Sequence, residues 1–183
     1  KKNPPTEMRD LEMARLPNAV HTAVQQDHKR PFAVILLCIF QAFLGLGAIG
    51  GGLILIIDPS GEMINMPLSI LERGPFTNFL LPGFLLLVVF GLLPMLVLYG
   101  LVKKPDWKFA DRLNPFTELH PSWAFSLYIG FGQIIWIMVE TYITNAVGAI
   151  HVLYMSLGIL IQVVTLLPVV QRYFMLDDAS ERR

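Results

Sequence analysis

Charge is what long stretches of this chain lack. Phe32 to Ile57 contains no Asp, Glu, Lys or Arg, and neither do Thr77 to Val102, Leu119 to Val139 or Thr141 to Gln171. Only 15% of all residues are charged and over half are hydrophobic, and a soluble core of this size has no use for such unbroken runs. Cysteine is almost absent. Cys38 stands alone, which excludes an intramolecular disulfide and a Cys-rich metal site, and within an apolar run it reads as a small filler. The formal net charge is zero and no separate basic domain exists, so nothing points to nucleic acid. There is no Walker loop, dinucleotide fingerprint, Ser-His-Asp arrangement or metalloprotease motif. Arginine is missing from the apolar runs, which disfavours a buried phosphate site. His120 and His151 fall at opposite edges of the apolar region, so they cannot share one haem iron. No metal and no cofactor is expected.

What is present is four runs long enough to cross a bilayer. A helix rises about 1.5 Å per residue and the hydrocarbon core is about 30 Å thick, so roughly 20 apolar residues suffice. Hydrocarbon cannot satisfy open backbone groups, so the runs must be helical; they are too long and too uniform for a β-barrel. The expected fold is therefore all-α, a polytopic four-helix transmembrane bundle with short interfacial helices. Its spans lie at about 32–57, 77–102, 122–143 and 150–171. This transmembrane domain covers 31–173, between an N-terminal tail, 1–30, and a C-terminal tail, 174–183. The tail 1–30 is polar and the first apolar run exceeds a signal h-region, which predicts no cleavable signal peptide.

The basic residues set an orientation. Lys1, Lys2, Arg9, Arg15, Lys29 and Arg30 precede span one. Lys103, Lys104, Lys108 and Arg112 lie between spans two and three, and Arg172, Arg182 and Arg183 close the chain. Arg73 alone falls on the other side. The positive-inside rule then places both termini in the cytoplasm of a cell whose inner membrane the chain spans.

The connections differ in chemistry. Asp58-Pro59-Ser60-Gly61 has type I turn residues at each position. Pro67 can open a short helix and Gly74 can end it, with Leu68, Ile70 and Leu71 on the outer membrane surface. The inner loop mixes Trp107, Phe109 and Phe116 with basic residues, the dressing of a cytoplasmic interface. The N-terminal tail predicts two short helices, after Thr6 and after Asn18, with His21 and His28 on one face; two His without a third ligand make no metal site.

Intramembrane polar groups cost energy and so mark candidate sites. Gln41, Gln133 and Gln162 fall at similar depth near the midplane, beside Pro94, which frees the carbonyl of Phe90. They read either as interhelical amide hydrogen bonds that fix packing or as a polar pocket. Glu140 and His151 meet at the outer end of spans three and four. They could relay protons, hold a cation or bind a headgroup; the plainer reading is an interfacial Glu capped by Thr141 and Thr144. Gly45, Gly47, Ala48, Gly51 and Gly52 form small-residue stripes on span one that let a neighbouring helix approach.

The stretches Asp58-Pro59-Ser60-Gly61, Met66-Pro67-Leu68, Leu113-Asn114-Pro115-Phe116 and Thr165-Leu166-Leu167-Pro168 resemble those of a family of small, uncharacterised bacterial integral membrane proteins with about four spans. The resemblance covers roughly Pro31 to Tyr173. It implies a bacterial origin and a four-span fold, and no activity or site residue. Three functions follow in order of preference. The first is a non-catalytic accessory or scaffold subunit in the lipid bilayer, packing against partner membrane proteins or further copies of itself. The second is a small oligomeric carrier or proton-coupled permeation protein. The third is a membrane enzyme acting on a lipid or quinone at the outer surface.

Overall fold

The computed structural model describes residues 30–176. The helices expected after Thr6 and Asn18, and the His21–His28 face, lie outside them. Four helices are long and apolar enough to cross a membrane: α1, Phe32–Ile57; α2, Leu80–Lys103; α4, Pro121–Thr144; and α5, Ala149–Leu166. A short helix α3, Lys108–Arg112, lies between α2 and α4, and α6, Pro168–Tyr173, follows α5. Around the bundle the order is α2, α1, α5, α4, which puts α1 and α4 on a diagonal. The four-helix, all-α fold is the one that the apolar runs dictate.

The helix ends follow local chemistry. Asn78 Oδ1 accepts the Leu80 N–H at 3.0 Å, so α2 begins three residues later than the apolar run. Pro121 opens α4 and the His120 side chain accepts the Ser122 N–H at 3.3 Å. The fourth run, expected to be continuous over 150–171, is divided. Pro168 forces Leu167 into an extended conformation, ψ 133°, and starts α6.

α2 is not a uniform α-helix. Leu86–Leu92 is π-helical, and the Leu93 N–H reaches back five residues to the Val88 carbonyl. Pro94 follows at once. With no N–H on Pro94, α-register would strand the Phe90 carbonyl, whereas π-register turns that carbonyl toward residue 95. The same stretch aligns Gly83 with Gly91. Eight residues of pure α-helix would separate them by about 80° around the axis, and the wider π turns bring them to one face.

That face meets α1. A methyl group on Gly52 would stand 2.8 Å from the Gly83 carbonyl oxygen and 2.8 Å from the Leu87 nitrogen. One on Gly45 would stand 3.2 Å from the Gly91 carbonyl. Backbone therefore meets backbone along α1 and α2, the packing that small residues permit when lipid offers no hydrophobic drive. Gly130 and Gly158 do the same between α4 and α5.

The two ends of the bundle are built differently. At the end near Pro31 and Phe174, Val34, Leu37, Val97, Leu101, Trp123 and Ile161 belong to one dense core. Several polar groups there are paired. The Trp123 indole donates to the Thr165 carbonyl at 2.7 Å, the His120 N–H to Phe174 at 2.8 Å, and the Leu176 N–H to Glu118 at 2.9 Å. Lys104 Nζ donates to the Tyr173 carbonyl at 2.6 Å and sits 3.7 Å from that ring's centroid. Burial pushes the His120 imidazole below its ordinary pKa; its Nε2 lies 3.0 Å from the Pro105 carbonyl.

At the other, hairpin end the core thins to a small cluster of Leu71, Phe79 and Ile143 beneath the first connection. Asp58 organises that connection. Its carboxylate accepts the Met63 N–H at 2.7 Å and the Ser60 N–H and hydroxyl, and these donors, Met63 first, hold its pKa below the usual carboxylate range. Gly61 takes φ +78°, which a side chain adopts only with strain. The helix expected to run from Pro67 toward Gly74 is one 3-10 turn, Leu68–Leu71. Its Leu71 turns inward against Phe79 and Ile143, while Leu68 stays exposed.

Candidate functional site

The hairpin half of the bundle holds a partly open cavity of about 310 Å³. It lies on the α1–α4 diagonal, where the two helices do not pack tightly. Helical spacing explains which residues reach it. On α4, Gln133, Trp136, Ile137 and Glu140 recur at three, four and seven residues, which is one face. On α1, Leu44, Gly47, Ala48, Gly51 and Leu55 do the same, and on α5 His151 and Tyr154 are three apart. Ile64 and Met66 of the first connection cover the top. A second cavity of about 80 Å³ adjoins it and shares Trp136 and Glu140.

Local geometry orients the polar pair. Asn145 ends α4 in a left-handed conformation, φ 51°, and Gly148 starts α5. Arg73 Nη1 donates to Asn145 Oδ1 at 2.7 Å, which ties the first connection to this turn. His151 Nδ1 accepts the Gly148 N–H at 2.9 Å. A nitrogen that accepts carries no proton, so the ring proton resides on Nε2. That Nε2 faces Glu140 Oε1 at 3.9 Å. The separation is too long for a hydrogen bond. Thr141 and Thr144 do not cap Glu140. The Thr141 hydroxyl donates back to the Ile137 carbonyl at 2.8 Å, and that of Thr144 to Ala146 at 3.4 Å.

The three glutamines do not form one hydrogen-bonded network. No hydrogen bond links them. Gln41 is fully buried with neither amide atom partnered, and it lies off the cavity. Gln162 packs its Cγ over Gly130 and leaves Nε2 without a protein partner. Gln133 is 2% exposed, lines the cavity and has an unpartnered Oε1. Gln133 and Gln162 both lie along the α4–α5 contact, beside Gly158 and Gly130. Pro94 belongs to the α2 packing and does not reach the cavity.

The glycine stripes also divide. Gly45 and Gly52 bring α1 against α2, and Gly47 and Gly51 form cavity wall with Ala48. The Tyr154 hydroxyl occupies the space over Gly47. Trp136 and Tyr154 are wall residues that sequence reasoning missed. Their signal was present: Trp136 stands one turn before Glu140 and Tyr154 one turn after His151. Among the described residues no three His, Cys, Asp or Glu side chains come together as metal ligands.

No protein-family model, curated protein or solved structure matches the chain.

Proposed function

We propose that this is a non-catalytic integral protein of a bacterial inner membrane, with both termini cytoplasmic, that binds a small amphipathic molecule in its hairpin-end cavity. In that membrane it works as an accessory subunit beside other membrane proteins or further copies of itself. The observation that carries the reading is the cavity itself. Its 310 Å³ is about twice the volume that holds benzene in an engineered core, and at the lower bound of ordinary ligand pockets. Its walls are mostly apolar, with Gln133, Glu140, His151 and Tyr154 as a few convergent polar groups, the composition of a binding site.

Purification in mild detergent, followed by mass spectrometry of the intact particle and of its solvent extract, tests both parts. A bound small molecule and a second protein chain, or several copies of this one, are expected. A bare monomer that carries no small molecule would sink the reading.

A further inference from the structure

We infer that the cavity takes an organic ammonium ion whose apolar body carries a hydrogen-bond donor at its far end. This inference rests on the binding reading above and names the ligand's chemistry.

Two observations point to a cation at the shallow end. Among the described residues, the wall has one carboxylate, Glu140, and no lysine or arginine. The nearest basic group, His151, spends Nδ1 on the Gly148 N–H and stands 3.9 Å from the carboxylate. Protonating that ring would cost the Nδ1 hydrogen bond, so the protein's own histidine is a poor counter-charge. A carboxylate charge in apolar surroundings needs a partner of opposite sign.

The deep end asks for a donor. Gln133 lines the cavity and its Oε1 is buried without a partner, and leaving such an acceptor unmet is unfavourable. Gln133 and Glu140 are seven residues apart, or about 10 Å along the helix. Between them Leu44, Ala48 and Ile137 present an apolar surface. A ligand of matching pattern has an ammonium at one end, an apolar body, and a hydroxyl or amide N–H at the other, the two ends within about 10 Å of each other. Such an amine arrives either free in solution or as the headgroup of an aminolipid.

Calorimetric titration of the full chain in nanodiscs of phosphatidylglycerol tests this with tyramine, which carries both ends. Phenethylamine lacks its hydroxyl and 4-ethylphenol lacks its ammonium. Tyramine is expected to bind best, with 4-ethylphenol weaker by about tenfold or more. Glu140→Gln should cost tyramine about tenfold and leave 4-ethylphenol unchanged. Gln133→Leu should weaken tyramine and spare phenethylamine. If Glu140→Gln does not fold, Gly51→Leu, which fills the cavity from α1, should abolish binding of all three. Adding phosphatidylethanolamine to the discs separates the sources. Loss of tyramine binding identifies a lipid amine, and unchanged binding identifies a free one. Equal binding of tyramine and 4-ethylphenol, or full tyramine affinity in Glu140→Gln, overturns the ammonium assignment and leaves the binding reading standing. Binding of none of the three at millimolar concentration overturns both.

Discussion

Gln41 and Gln133 carry the same side chain, and both keep a buried oxygen without a protein partner. Their surroundings separate them. Gln41 is sealed in the bundle with both amide atoms unmet, while Gln133 opens onto the cavity. Replacing an unmet buried polar group by an apolar one of similar size removes a desolvation cost of about 1–3 kcal/mol. Gln41→Leu is therefore expected to raise the thermal unfolding midpoint in detergent; a lowered midpoint would mean that the amide has an essential partner. His120 gives a second prediction at this scale. Burial holds its folded pKa below the ordinary 6.5, so between those two values the unfolded chain binds more protons. Its contribution is complete above pH 6.5 and is lost as pH falls toward the folded value. The unfolding midpoint of the native chain should drop between pH 7 and pH 5, and less steeply in His120→Gln, which has no titrating ring. An unchanged slope would show that other groups carry the acid sensitivity.

Among the elements, the α1–α2 contact depends on which glycines face it. Gly52 meets α2 backbone at 2.8 Å, and a methyl on Gly50 would meet nothing within 4 Å. Gly52→Val should destabilise the protein by about 1–3 kcal/mol, since rigid backbone cannot give way. Gly50→Ala should be neutral or stabilising by about 0.5–1 kcal/mol through helix propensity. Thermal unfolding of the two variants side by side checks the pair, and equal effects would contradict the packing. The sequence held the stripe of small residues on α1 but not its division between a helix contact and a cavity wall. The reason lies on the other helix. A wheel of 3.6 residues per turn cannot anticipate that Leu86–Leu92 takes π-register and rotates Gly83 onto the face of Gly91. Leu167 shows the opposite case, because the residue before a proline is pushed out of helix by local sterics, and local rules are legible.

For the whole molecule, four helices were readable because bilayer hydrocarbon tolerates few solutions for a chain with four uncharged runs. The cavity was only half readable. Glu140 and His151 face each other across a short hairpin, which sequence proximity makes visible. The joining of Gly47 and Gly51 with Gln133 across the bundle depends on the α2, α1, α5, α4 order, which no local pattern encodes. The proposed orientation rests on a charge asymmetry that is partly structural. Lys104, one of the basic residues at the end near Pro31 and Phe174, holds the Tyr173 carbonyl and covers its ring, so it would be kept there whichever way the bundle faced. Lys108 and Arg112 are exposed and free of that duty, which leaves the positive-inside argument standing on them and the terminal residues. Single cysteines in a Cys38→Ala background decide it. Ser69→Cys in the first connection should react with a membrane-impermeant maleimide on intact cells, and Lys108→Cys only after lysis. The reverse pattern would invert the bundle, turn the Glu140–His151 end toward the cytoplasm, and require any ligand of the cavity to arrive from inside the cell.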